Sequence, residues 1–575
     1  MILISSNPLL TILAEVIMRH MLPLLILALL LAMASSSSAD VISNIRFTPG
    51  PMCAVPFGQN VTITFDYAIT TPGGVRIFPR PFSKGGLTPN YAASPSGLFT
   101  GTGTGTGYFS VTSGDIIVDH VRFQIYNADQ SLLVLEFFVP VMFKYATHGI
   151  YNIQFTPTTP GSIKFNSHVN ITFNYTTPQA GGVRIYCEPY LGGSYAPNGA
   201  YQPSPLYATG SGAGTGYVTV LSGATPVDAI LFSMWKGDNS AEILRFIVPV
   251  DYFFSGTSIQ TITYSPLGPN GLLFGEKLNA SFSYSTDEAT GVRIFVRPYT
   301  HGALTPNYGA HASPTYPTGN GSGTGWFTIS SQEVTVDSLV FLVYDGATGN
   351  NLLLSYFVPT NIHFAAHKVT DIQFNPTPPA YFTTSHYDSM QFTYTHSYSG
   401  GAYLWALPYE AGDICDYYAY TGSTLLPTGT GALNRRYTIT SGNHIVDCTR
   451  FLMRNQSQTE TVLTWDVPVQ FYFGNQSLVG VSELAAKPEA FVLEQNYPNP
   501  FNPTTNLRFS IANPQLTILK VYDLLGREVA TLVNDVKQPG TYTVQFNGSG
   551  LASGVYLYRI QAGNFTQTKR LLLLK

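Results

Sequence analysis

Hydrophobic and polar positions alternate with a period of two along most of the chain. Val61, Ile63, Phe65 and Tyr67 are separated by Thr62, Thr64 and Asp66. The same alternation returns at Val169, Ile171, Phe173 and Tyr175, at Leu278, Ala280, Phe282 and Tyr284, and at Met390, Phe392 and Tyr394. Alternation of this kind places one set of side chains on one face of an extended strand. A second strand is predicted over Val121, Phe123 and Ile125, with counterparts at Ile230, Phe232 and Met234 and at Leu339, Phe341 and Val343. The run Leu133 to Val139 is more continuously apolar, interrupted only by Glu136, and predicts a strand central in a sheet, stopping at Pro140, which cannot donate to a ladder. No helical periodicity competes with these patterns.

The patterns recur because the chain repeats itself. Gly74-Val75-Arg76 returns as Gly182-Val183-Arg184 and Gly291-Val292-Arg293, and diverges to Gly401-Ala402-Tyr403. Val118-Asp119 returns at Val227-Asp228, Val336-Asp337 and Val446-Asp447, and Val139-Pro140 at Val248-Pro249, Val358-Pro359 and Val467-Pro468. The period of about 109 residues is too long for a solenoid and suits a sandwich domain of about 100 residues. The expected fold is all-β: a tandem array of four Ig-like antiparallel β-sandwich repeats plus a small C-terminal sandwich. The expected bounds are 41–147, 150–256, 259–366 and 368–474, then a linker at 475–490 and a C-terminal domain at 491–575. Short linkers favour a semi-rigid string.

Composition narrows the partners. Of 575 residues only 10% are charged, 28 Lys and Arg stand against 32 Asp and Glu, and the net charge is -4. Globular chains carry about 25% charge. A chain this neutral has no electrostatic footprint for nucleic acid. Near the N-terminus, Arg19 and His20 precede the apolar run Leu22 to Ala34 and the small residues Ser35 to Ala39. This pattern predicts a secretory signal peptide over 1–39, with a start at Met18 as an alternative and cleavage after about Ala39. No other stretch is long and apolar enough to cross a membrane, so no transmembrane segment is expected in the mature chain. Export makes disulfides available. Cys415 and Cys448 fall in one repeat and are the candidate pair, with buried free thiols as the alternative; a Cys53–Cys187 bridge would have to cross repeats.

Candidate chemistry is sparse. His363 and His367 sit four apart, but a solvated pair fits better than a metal site. The recurring Asp119, Asp228, Asp337 and Asp447 suit a turn better than calcium. Gly101 to Gly107 reads GTGTGTG without the Lys of a phosphate loop; it is expected to be a flexible hairpin leading to a core aromatic. No catalytic, cofactor-binding or metal residue is assigned, and no cofactor is expected. Asn60, Asn170 and Asn279 begin N-x-Ser/Thr at one register and read as a polar strand face. Ligand contact is expected, if anywhere, at Asn90 and Tyr91 and at Asn307 and Tyr308. These lie in Pro-, Asn- and Tyr-rich loops where a ring can stack on a sugar and an amide can bond its hydroxyls; local packing of the two tyrosines is the alternative.

The C-terminus carries the most specific motif. Asn496-Tyr497-Pro498-Asn499-Pro500-Phe501-Asn502-Pro503 is followed by Tyr522-Asp523 to Gly526-Arg527, Leu551 to Gly554-Val555-Tyr556, and Lys569-Arg570-Leu571. This order resembles the C-terminal sorting domain of proteins exported by the type IX secretion system of Bacteroidetes-like bacteria. It is also similar to the Ig-like domain of flagellar hook-capping proteins. The resemblance implies recognition by the type IX translocon and delivery outside the cell or to the outer-membrane surface. The chain is then expected to be a non-catalytic structural or adhesive surface protein, contacting surface glycans or neighbouring copies. A multivalent carbohydrate-binding array is the alternative.

Overall fold

A computed structural model describes residues 40–474 and, beyond them, 492–493, 504–511, 515–522, 528–537, 540–548, 554–562 and 565–573. The predicted signal peptide lies outside these residues. No helix occurs among the described residues, and none is therefore long and apolar enough to cross a membrane. The strands fall into four copies of one order, each with two facing sheets over its own core.

In the first copy one sheet holds the strands Val41–Thr48, Val61–Ile69, Gly101–Val111 and Tyr91–Ala93. The other holds Cys53–Pro56, Leu133–Ala146, Ile116–Asn127, Val75–Ser83 and Gly86–Leu87. All pairs are antiparallel except Cys53–Pro56, which runs parallel to Leu133–Ala146. The alternation places side chains as expected: Val61, Ile63 and Phe65 are buried while Thr62 is exposed.

Two expectations need correction. The strand Leu133–Ala146 does not stop at Pro140. The ladder slips between Val118–Phe143 and His120–Pro140, so that Asp119 alone faces two residues, Val141 and Met142, and Pro140 borders a bulge in its own strand. The same slip sets Asp228 against Val250 and Asp251, Asp337 against Thr360 and Asn361, and Asp447 against Val469 and Gln470, next to Pro249, Pro359 and Pro468. A β-bulge is one of the few places where a sheet interior tolerates proline. The two dipeptide motifs are thus two sides of one recurring bulge.

Nor is GTGTGTG a flexible hairpin; it is a full-length strand. Gly105 lies opposite Phe65 and Gly103 opposite Tyr67. A Cβ on Gly105 would stand 2.4 Å from the Phe65 ring, and one on Gly103 2.8 Å from the Tyr67 hydroxyl. Gly214 under Phe173 and Gly323 under Phe282 repeat the arrangement. The glycines vacate the space that the aromatic rings of the next strand occupy.

The four copies are not an open string. The short strand of each copy lies against the first strand of the next. Ala54 pairs with Ile150 at the first junction. Ser162 accepts from Gln260 Nε2 at 3.1 Å at the second. At the third, a Cβ on Gly271 would meet Val369 O at 2.5 Å. The fourth copy then returns to the first: Val41, Ile42 and Ser43 pair with Phe382, Tyr381 and Ala380, which makes one nine-stranded sheet of the two copies. Tyr381 stacks on Phe137 at 3.7 Å and on Tyr472 at 4.7 Å, and both tyrosines belong to the core of the first copy. The contacts therefore form a closed circuit of four sandwiches.

The C-terminal strands form two further sheets, one of Val492–Leu493, Thr504–Ile511 and Gly540–Asn547 and one of Glu528–Lys537, Gln515–Tyr522, Gly554–Ala562 and Phe565–Leu573. Tyr556, Tyr558 and Ile560 face their core and Arg559 faces solvent.

Candidate functional site

Each copy carries a row of aromatic side chains on the face of its second sheet that turns away from the core. In the first copy Arg80 lies over Phe78 at 5.1 Å and Arg122 over Phe82 at 4.5 Å. In the third Arg297 lies over Phe295 at 4.6 Å and Tyr308 at 5.8 Å. In the fourth Tyr403 stacks with Trp405 at 5.8 Å and Arg450 covers Tyr409 at 3.9 Å. Contacts of a guanidinium with a ring face within about 6 Å are attractive. Burial lowers the pKa of Arg80 and Arg297, opposed by Tyr91 and Tyr308 respectively.

The second copy differs in sign. Glu188 stands where the first and third copies have Arg80 and Arg297. Around it Tyr186 meets Tyr201 at 6.1 Å, Tyr195 meets Tyr201 at 6.1 Å, and Tyr190 meets Tyr195 at 6.4 Å. Burial raises the Glu188 carboxyl, against the pull of Arg245. Arg245 Nη2 donates to Tyr190 Oη at 3.1 Å, and Tyr186 Oη donates to Asn239 Oδ1 at 3.2 Å. A ring-lined surface with one carboxylate at its centre offers stacking faces and a hydrogen-bond acceptor together.

Sequence reasoning did not single out Tyr186, Tyr195 or Tyr201. The signal was available: Glu188-Pro189-Tyr190 interrupts the series Arg80-Pro81-Phe82 and Arg297-Pro298-Tyr299. The residues it did single out occupy turns. Asn90 and Asn307 take φ of 54° and 56°, a conformation that asparagine tolerates well. Their carbonyls accept from Thr112 N at 2.9 Å and Ser330 N at 3.0 Å. Tyr91 and Tyr308 are half-buried at the edges of the Arg80 and Arg297 clusters and lie in different copies.

The other recurring residues are structural. Opposite the bulge, Asp119 accepts from Lys84 N at 2.7 Å, Asp228 from Gly192 N at 2.8 Å, Asp337 from His301 N at 2.5 Å and Asp447 from Ala411 N at 2.8 Å. His363 and His367 do not converge, and both are buried rather than solvated as expected. His363 bonds Glu333 at 3.1 Å and stacks on Trp465, while His367 faces His396 and Tyr398.

The structure corrects the Cys415–Cys448 pairing, since both are free thiols, as are Cys53 and Cys187. Cys415 follows the edge strand Asp413–Ile414 and Cys448 lies in His444–Asn455, with Ala402–Glu410 between them. Two strand spacings are about 9–10 Å, beyond the reach of a disulfide at about 4.4–6.8 Å between Cα atoms.

Of the C-terminal motif, Asn496 to Pro503, Gly526 and Arg527 lie outside the described residues. Gly554 opens a strand and Tyr556 is buried in the core of that segment. Residues 495–574 match the family of the secretion system C-terminal sorting domain. The segment is a type IX secretion sorting domain. It directs the chain to that export system, and so to the cell surface or the extracellular space.

No curated protein matches the chain. Among solved structures, a Salmonella alpha-2-macroglobulin mutant is 8% identical over 94% of this chain and 46% of its own, with a TM-score of 0.22. An Escherichia coli alpha-2-macroglobulin activated by porcine elastase is 9% identical over 93% of this chain and 53% of its own, TM-score 0.19. A three-Ig segment of titin is 8% identical over 57% of this chain and 100% of its own, TM-score 0.13. The chain thus spans about half the length of the two macroglobulins. Likenesses at this level carry no argument about function.

Proposed function

We propose that residues 40–474 are the passenger of this export route, a non-catalytic surface protein whose role is structural or adhesive. Residues 1–39 act as the signal that starts the journey and is then removed. Each passenger copy is read as Ig-like, since a four-stranded sheet faces one whose short edge strand runs parallel to the last long strand. The observation that supports a contact-making role is the outward aromatic row carried by every copy of the circuit.

Deletion of residues 491–575 should retain the protein inside the cell, while the full chain reaches the surface or the medium. Fractionation followed by immunoblotting checks this. Cells displaying the full chain should aggregate or attach to one another more than cells of a deletion strain; equal attachment would argue against adhesion.

Carbohydrate binding is the second reading, favoured by the tyrosines around Glu188. A glycan array probed with the full chain tests it. Signal that disappears in Tyr195→Ala/Tyr201→Ala would support sugar recognition, and a blank array would remove it.

A further inference from the structure

The fourth copy holds three side chains that its siblings lack. Glu410 ends the strand Ala402–Glu410, Cys415 follows Asp413–Ile414, and His444 opens His444–Asn455. One donor atom from each lies within 4.8 Å of the other two. His444 Nδ1 and Glu410 Oε2 are 2.8 Å apart, and Ile445 N donates to Glu410 Oε1 at 3.1 Å. Cys415 is buried, while His444 and Glu410 are partly open to solvent. The ring of His444 fits beside Gly442, where a Cβ would stand 2.9 Å from its Nε2.

The other copies serve as internal controls. Cys415 N donates to Pro408 O, just as Thr88, Ala196 and Thr305 donate to Pro81, Pro189 and Pro298. Strand registers equate Glu410 with Ser83, Leu191 and Thr300, and His444 with Ile116, Thr225 and Val334. The fold at this corner therefore needs none of the three. A thiol, an imidazole and a carboxylate replaced the three residues in one copy only, and they converge.

We infer that Glu410, Cys415 and His444 form a binding site for a borderline divalent transition-metal cation such as Zn²⁺, with a fourth coordination position open to solvent. Thiolate, imidazole and carboxylate are the ligand types such ions take, and three protein ligands with one open position is the pattern of reactive rather than purely structural sites. On binding, Cys415 releases its proton to solvent. The proton that His444 Nδ1 donates to Glu410 is given up to solvent while Nε2 carries the ring's remaining proton, so one hydrogen bond between His444 and Glu410 is exchanged for two metal bonds. Before binding, burial together with the charges of Glu410, Asp447 and Asp416 pushes the Cys415 thiol up to about 12. The same negative field favours an incoming cation.

Titration of the full chain with Co²⁺ tests this. One equivalent should produce a thiolate-to-cobalt absorption band that Zn²⁺ displaces. Cys415→Thr restores the residue of the first copy, and should remove the band without lowering the melting temperature. His444→Ile should weaken binding at least tenfold. Cys448→Ser should leave the band intact. No band with the full chain, or a band that survives Cys415→Thr or is lost in Cys448→Ser, would overturn the assignment.

Discussion

Among single residues, Asp388 is at odds with its surroundings. It is fully buried, with no hydrogen-bond partner for either carboxylate oxygen among the described residues. It opens the strand Asp388–His396 at the position of Val61, Val169 and Leu278. Burial raises its pKa well above the ordinary carboxylate range, so the folded chain favours the protonated form over a wider span of pH than the unfolded chain does. An unfolded chain loses that proton near pH 4. Asp388 therefore costs nothing in this respect below about pH 4, and stability falls as pH rises through the interval up to its folded pKa. Asp388→Val should stabilise the protein by about 2 kcal/mol at pH 7 and flatten that pH dependence. Urea denaturation at pH 4 and pH 7 checks both, and equal midpoints for the variant and the parent at pH 7 would refute it. The residue is visible in the sequence as Asp388-Ser389-Met390. Its burial was not, because a polar residue at a strand end reads equally well as solvent-facing.

At the scale of the element, the glycine-bearing strands explain both a success and a failure of sequence reasoning. The aromatic strand Val61–Ile69 was legible because alternation requires only its own residues. Its partner Gly101–Val111 was not, since glycine is poor in strands taken singly. The pair makes sense only in register, with Phe65 over Gly105. Phe65→Ala should cost about 3–5 kcal/mol, and Gly105→Ala about 2 kcal/mol, since the ring must move. Thermal unfolding of the two variants compares them; a Gly105→Ala protein as stable as the parent would break the packing account. The bulge has the same character. Val118-Asp119 and Val139-Pro140 were each plain in the sequence, but only the ladder shows that they flank the same bulge.

For the molecule as a whole, sequence repetition showed four units and their period, but a repeat is silent about whether its ends meet. Nothing marks Tyr381 or Ser43 as different from the strand residues around them. Closure rests on Tyr381, which is nearly inaccessible and held between two aromatic rings from different copies. Tyr381→Ala should open the circuit at that junction at a cost of about 3–4 kcal/mol. Small-angle X-ray scattering should then report a larger radius of gyration, and unchanged dimensions would refute closure through this residue.

The closing junction also brings together two distant points of the chain. Asp40 N donates to Thr383 Oγ1 and Thr383 N donates to Asp40 O, both at 3.0 Å, while Gly474 N donates to Phe382 O at 3.0 Å. Head and tail of the passenger thus leave beside the adjacent residues Thr383 and Phe382. A gene rewired to splice residue 474 back to residue 40 through a brief Gly/Ser tether, with fresh ends cut at Gly256, should encode a circular permutant of native shape. Such a protein would carry its cargo label on the opposite flank without disturbing any of the four sandwiches.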